Sequence, residues 1–301
     1  MRWGIVTTLA APQADVLAFV AHHLALGAER IWLCFDTPDD PAADRVEGHP
    51  RITVRRCDTA HWTRLGITRP ERHQNRQTAN AQAVLRECGQ DEALDWLAHI
   101  DVDEFLTADA PIAAILSEVP RHRPFVRAKA WEALHSPGLP DDIFTATAFR
   151  APLNAESHAA HRAAIFGPFA PLLPTGCMSH AVGKCFFRPD VPGLQAWLHG
   201  ASKGGEKLPP GPPLPGMALL HFHSQDPVTW KGRLPFRLER GAYVLKPELA
   251  LFLKTADAEE IDAFYHRCLT ATPDALAYLR QHRLLREVDL TLRAKVAALG
   301  L

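Results

Sequence analysis

Two apolar periods alternate along this chain, and the points where one gives way to the other mark out its elements. Trp3 to Leu9 is an apolar, β-branched run with the length of a buried strand. Pro12 to Leu26 then places Val16, Leu17, Phe19, Val20 and Leu24 at helical spacing, with Gly27 as a stop. Arg30 to Phe35 is apolar again and ends at Asp36, and Ile52 to Arg56 predicts a third strand. Strand, helix, strand is the unit of a parallel sheet, whose ligands gather at the carboxyl ends of the strands. Asp36 therefore stands where a base or ribose is recognised, or serves as a turn acid in Asp36-Thr37-Pro38-Asp39-Asp40-Pro41.

The next apolar run starts at Leu94 and Trp96, reaches Ile100, and meets three acids within four residues, Asp101, Asp103 and Glu104, before Phe105 and Leu106 turn apolar again. Carboxylates this close repel one another and are costly to desolvate, so a divalent cation, basic neighbours or exposure at a strand end must offset them. On a strand, alternation points both aspartates the same way, and hard oxygens at that spacing suit Mg²⁺ or Mn²⁺. Before this run, Arg69, Arg72, Arg76 and Asn80 fall three or four apart, with Pro70 fit for a first helical turn. They make one polar stripe, either a solvated face or the wall of a site.

Further on, Ile112 to Val119 predicts a short helix and Phe125 to Ala133 a strand. Residues 136 to 174 are rich in Pro, His and small side chains, as long loops are, and contain the acid Glu156. Gly183 to Pro189 restores a strand on which Lys184 and Arg188 alternate. Gly204-Gly205 and Pro209-Pro210-Gly211-Pro212-Pro213 read as a flexible and then a stiff loop, a lid or a plain surface excursion. Met217 to His223 is an apolar strand ending in two histidines, His221 and His223, which period two turns to one side as a metal pair or a packed pair. Amphipathic helices fill the chain from Lys246 onward, and residues 273 to 299 mix apolar and basic positions. This tail predicts packing or oligomerisation, with peripheral membrane contact through Arg280, Arg283, Arg286, Arg293 and Lys295 as the alternative.

Composition changes little in this picture. The 301 residues are 47% hydrophobic and 22% charged, with a net charge of −1, so nothing favours nucleic acid as a partner. Six scattered cysteines contain no Cys-x-x-Cys pair, which argues against a zinc ribbon and for small buried hydrophobes. No apolar run reaches the ~18 residues of a membrane span, and the start reads as a strand without a signal peptide's apolar core. The expected compartment is the cytoplasm, at the inner face of the membrane if the basic tail meets lipid.

His99-Ile100-Asp101-Val102-Asp103-Glu104-Phe105-Leu106 resembles the Asp-x-Asp signature of family-2-like glycosyltransferases with the GT-A fold, in particular the bacterial branch that reads Asp-x-Asp-Glu-Phe. The resemblance implies an α/β fold, a Rossmann-like, mainly parallel mixed sheet flanked by helices, over residues 1–245, with a helical extension over 246–301. It implies that Asp101 and Asp103 hold Mn²⁺ or Mg²⁺ on the diphosphate of a nucleotide-sugar. It further implies that Asp36 contacts the nucleotide, that Arg76, Gln77 and Asn80 line the donor site, and that Lys184 faces phosphate. In relatives a His-aromatic pair ending a late strand supplies a metal ligand and the following helix ends in Arg-Gly; His221-Phe222 and Arg240-Gly241 keep those positions. The chain departs from the pattern twice. Thr7-Thr8-Leu9-Ala10-Ala11-Pro12 replaces a charged first loop, leaving the hydroxyls of Thr7 and Thr8 near the nucleotide. Gln225-Asp226 replaces a Lys-Ser, with Lys231, Arg233 and Arg237 as substitutes.

The activity expected is inverting transfer of a sugar from a nucleotide-diphosphate sugar to the hydroxyl of a glycan or lipid-linked acceptor, in polysaccharide biosynthesis. Glu104 and Glu156 are the candidate bases. Two rivals remain. A sugar nucleotidyltransferase would also use clustered acids, but no Gly-rich, Lys-containing loop follows the first strand. A non-catalytic nucleotide- or glycan-binding module is consistent with the altered first loop and the missing lysine.

Overall fold

The computed structural model describes residues 1–91, 94–139, 143–223 and 226–300. Its strands in chain order are β1 (Trp3–Leu9), β2 (Arg30–Phe35), β3 (Ile52–Arg56), β4 (Trp96–His99), β5 (Glu104–Ala108), β6 (Phe125–Ala133), β7 (Ala148–Arg150), β8 (Lys184–Phe187), β9 (Leu194–Ala196), β10 (Ala201–Lys203), β11 (Glu206–Lys207), β12 (Met217–His221) and β13 (Leu285–Glu287). The helices are α1 (Gln13–Ala25), α2 (Pro41–Val46), α3 (Thr59–Arg64), α4 (His73–Asp91), α5 (Ile112–Ser117), α6 (Ala159–Phe166), α7 (Pro227–Gly232), α8 (Leu234–Glu239), α9 (Pro247–Thr255), α10 (Ala258–Leu269), α11 (Pro273–Gln281) and α12 (Leu292–Leu299). They fall into two compact units: Met1–Lys129, Val182–Leu219 and Thr291–Leu301 form the first, and Ala130–Ala181 and Leu220–Leu290 the second.

The first unit is a mixed α/β fold with parallel strands at its centre. β1 runs parallel to β2 and to β4, and β2 parallel to β3. β8 lies antiparallel between β4 and the first part of β6. Every residue of β1 is buried, as its unbroken apolar run predicts for a strand covered on both faces. Ala81, Val84, Leu85 and Cys88 of α4 pack on Val6, Trp32, Leu97 and Phe187 of the sheet. Burial of a side chain such as Leu85 stabilises by roughly 1.5–3 kcal/mol. The C-terminal helix α12 packs against α1.

In the second unit the end of β6 pairs antiparallel with β7, and β7 with β13. Helical side chains Trp230, Tyr243, Leu253, Phe264 and Leu279 close a core with Leu153, Phe166 and Met178. Gly241 follows α8 because the chain passes so close there that a Cβ would lie 2.7 Å from the Arg237 Cα. All six cysteines are buried thiols. Among the described residues no helix is long and apolar enough to cross a membrane.

Three local expectations are corrected. Helix α4 begins at His73, so Pro70 precedes it instead of occupying its first turn. The Arg76 guanidinium takes the Pro70 and Glu71 carbonyls at 2.9 and 2.6 Å and holds that entry in a non-helical path. Strand β4 stops at His99, and Asp101 and Asp103 occupy the turn to β5, so strand alternation does not orient them. The turn is closed twice over: Glu104 N–H donates to the Asp101 carbonyl at 3.1 Å, and Asp101 N–H to the Glu104 carboxylate at 2.8 Å. Strand β12 likewise ends at His221, leaving His223 beyond it.

Candidate functional site

Helix α4 ties together the ends of three strands of the first unit. Arg76 donates through Nε and Nη2 to Asp36, just past β2, at 3.0 and 2.7 Å. Gln77 Nε2 donates to Asp101 Oδ1 at 2.5 Å, past β4. Asn80 Nδ2 donates to Thr8 Oγ1 of β1 at 2.9 Å, and its Oδ1 lies 2.8 Å from His61 Nε2. Residues 76, 77 and 80 share one helix face, and that face is buried. Of the stripe, Arg76 and Asn80 therefore belong to a buried clamp, whereas Arg69 and Arg72 lie ahead of the helix and are exposed. Burial pushes the Asp36 carboxyl up, but His73, Arg76 and Arg69 outweigh it and hold the group well below the usual carboxylate range. The Thr7 hydroxyl is buried without a hydrogen-bond partner among the described residues.

The acids of the Asp-x-Asp-Glu turn meet a buried lysine. Lys184, buried at the start of β8, places Nζ 2.6 Å from Asp101 Oδ2 and 3.6 Å from Glu104 Oε2. Burial pulls its ammonium down, yet Asp101 and Glu104 more than offset this and raise its pKa. Asp101 and Asp103 are partly exposed at this turn, while Glu104 is buried. Arg188, expected to share Lys184's face, lies at the other end of β8. There it is fastened to the Val119 and Arg123 carbonyls and stacked 4.1 Å over Trp96.

The second unit holds a polar cluster of different make. Glu132 and Arg150, paired at 3.2 Å, are each about 2% exposed. Met178 and Ser179 N–H groups donate to the same carboxylate at 2.9 and 3.1 Å. Ser179 Oγ in turn lies 2.9 Å from His221 Nδ1. The His221 ring stands 5.1 Å from that of His180 and 5.4 Å from that of His223. His223 is committed to packing: Nε2 lies 3.1 Å from Tyr243 Oη, and its carbonyl accepts from Arg237 at 2.5 Å. Burial and then Arg237 hold its imidazole well below the ordinary histidine pKa.

Of the substitutes expected for the missing lysine, Arg237 is buried in that packing, Lys231 pairs with Asp262, and Arg233 is exposed; Gln225 lies outside the described residues. Glu156 sits exposed in a 3-10 turn, Glu156–His158. Glu132 is the residue sequence reasoning missed. Its signal was parity, since it shares the strand register of the apolar Val126, Ala128 and Ala130. The pair His22 and His23 was missed as well: His22 Nε2 donates to the Leu106 carbonyl at 2.7 Å, and Leu106 N–H donates to His23 Nε2 at 3.2 Å. They anchor β5 directly behind the acidic turn. The donor types a divalent cation takes are present as Glu104 in the first unit and as His180 and His221 in the second.

No protein-family model matches the chain, and no curated protein matches it either. Two solved structures overlay on it at 10% sequence identity. The crystal structure of S. aureus TarS 1-349 does so with a TM-score of 0.33 over 100% of this chain and 92% of that one. HddC from Yersinia pseudotuberculosis does so with a TM-score of 0.32 over 64% of this chain and 80% of that one. Likeness at these scores carries no argument about fold or chemistry.

Proposed function

We propose that the chain is a metal-dependent glycosyltransferase that moves a sugar from a nucleotide-diphosphate sugar to an acceptor hydroxyl with inversion. One observation carries this reading: three carboxylates, Asp101, Asp103 and Glu104, gather at the end of a central parallel strand with Lys184 as their cation. A turn this rich in carboxylate oxygens fits a hard divalent ion. Asp101 and Asp103 would hold it, and His221 joins them by the sequence resemblance alone. Bound there, Mg²⁺ or Mn²⁺ supplies Lewis-acid neutralisation of the departing diphosphate.

The chain's own residues do the rest. Gln77 and Lys184 occupy one oxygen each of Asp101 and fix its carboxylate. Arg76 holds Asp36 ionised for the ribose or base, and Asn80 sets the Thr8 hydroxyl beside the parallel strands. Glu104 spends its carboxylate on the turn and on Lys184, which makes Glu156 the acid to test first as the base. Nucleoside diphosphate released only when donor, acceptor and Mn²⁺ are all present, with no pyrophosphate, is the expected result. Pyrophosphate release would assign a nucleotidyltransferase instead, and donor binding without turnover a binding module.

A further inference from the structure

We propose that the first unit carries a second ligand site, at the end of its sheet opposite the Asp-x-Asp turn, which takes a phosphate or diphosphate borne on an apolar body. β8 starts with Lys184 at the acidic turn and runs antiparallel to β4, so its far end opens on the opposite edge of the sheet. Phe125, the first residue of β6, pairs there with Phe187. A cavity of about 650 Å³ lies at this end, within the range of small-molecule sites. Its floor is apolar, from Phe125, Val191 and Leu208, and its cations are Arg121, Arg123 and Lys203.

The charge around the cavity is unbalanced. Asp190 is the one carboxylate in the lining, and it pairs with Arg121 at 2.9 Å. Arg188 adds a buried guanidinium behind the wall, donating to the Arg123 carbonyl at 3.2 Å and leaving Nη1 without a hydrogen-bond partner among the described residues. Burial first, and then the Arg121 charge, lowers its pKa, with Asp190 and Asp95 acting the other way. On a chain of net charge −1 this is a positive concavity. Guanidinium forks favour phosphate oxygens, and the apolar floor rewards a ligand with more than a bare phosphate to bury.

The wall is preset. The proline loop that the sequence offered as a lid or an excursion is pinned here, with the Gly211 carbonyl accepting from Arg127 at 3.0 Å and the Pro212 carbonyl from Arg123 at 3.2 Å. Gly211 has φ of +48°, a backbone that favours glycine, and a Cβ on it would fall 2.8 Å from Arg123 Nη2, so a side chain there would make that guanidinium shift. A soluble nucleotide and an isoprenyl phosphate share the chemistry required.

Calorimetry on the full chain in EDTA, with uridine diphosphate, geranyl diphosphate and inorganic diphosphate in turn, tests this. One of the two organic diphosphates should bind at least about tenfold tighter than inorganic diphosphate, and the tighter one names the source as nucleotide or lipid. Lys203→Glu and Arg121→Glu change exposed side chains, so the fold persists, and each should weaken that binding about tenfold or more. Gly211→Ala should weaken it too, by displacing Arg123. Inorganic diphosphate binding as tightly as both organic ligands would overturn the proposal, and so would charge-reversal variants that bind as the parent does.

Discussion

The acidic turn of the first unit and the Glu132–Arg150 pair of the second are both polar clusters against an apolar core, yet they are balanced differently. Around Asp101, Asp103 and Glu104 the Lys184 ammonium meets crowded carboxylates, and two of the acids keep partial exposure. Around Glu132 one guanidinium meets one carboxylate, both buried, and backbone N–H groups satisfy the remaining lone pairs. The first cluster meets solvent, whereas the second is shut away from it, with Arg150 Nε left without a hydrogen-bond partner among the described residues. A cluster closed in this way fixes a shape, here the placement of Ser179 and, through it, of His221. An open one has capacity for a ligand.

The sharpest way to break the contrast is Asp103→Asn. Removing charge from a repelling group should leave melting unchanged or slightly raised, while donor-dependent turnover falls by about a thousandfold or more. Wild-type turnover in that variant would remove the cation from the reading. Glu132→Ala should behave in the opposite way. It strands a buried guanidinium, so urea denaturation should show a loss of about 3–5 kcal/mol. A loss under about 1 kcal/mol would mean that Arg150 finds water there and that the cluster is no anchor.

Protonation gives the next effect in size. Burial, opposed in part by the Leu106 carbonyl and aided by Lys295, lowers His22 to about 4. Above pH 6.5 neither state binds the proton and the group contributes nothing to pH dependence. As pH falls below that value the unfolded chain takes up a proton the folded one refuses, so stability declines until about pH 4, by about 3 kcal/mol for this residue. His23, also lowered by burial, adds in the same direction. Urea titrations at pH 7.5 and 5 should therefore show a drop that His22→Gln makes smaller, since a glutamine amide can still donate to the Leu106 carbonyl. An unchanged slope would place the proton elsewhere.

The strands were legible because the central sheet is covered on both faces, and unbroken apolar runs such as Trp3–Leu9 have no competing reading. Arg76 and Asn80 were legible as one face and Gln77 only through the resemblance, but their partners were not, because Asp36, Asp101 and Thr8 come from three strand ends that only the parallel topology brings side by side. The orientation of Asp101 and Asp103 was misjudged for a local reason: Glu104 closes a turn on the Asp101 backbone, and sequence alternation is blind to such a bond. Arg188 follows Lys184 after Cys185, Phe186 and Phe187, and those three residues carry it to the other end of β8.

The smallest effect probes that clamp. Gln77 donates to Asp101 Oδ1 at 2.5 Å while Lys184 holds Oδ2 at 2.6 Å, so the carboxylate is gripped from two sides and the two grips differ in kind. Lys184 supplies charge; Gln77 supplies direction only. Gln77→Ala removes direction and leaves the charge balance of the turn untouched, so global stability should fall by only about 1 kcal/mol, the net worth of one hydrogen bond. A carboxylate free to rotate about its Lys184 contact should hold the cation less well, and orienting groups of this kind are worth about 10–100-fold in metal affinity. The Mn²⁺ concentration giving half-maximal turnover should therefore rise about tenfold in Gln77→Ala, with the maximal rate largely recovered at saturating metal. Gln77→Glu puts a fourth carboxylate against Asp101 and should lose both affinity and stability. If Gln77→Ala instead loses maximal rate at every Mn²⁺ concentration, the amide touches the donor itself and is not an orienting group for Asp101.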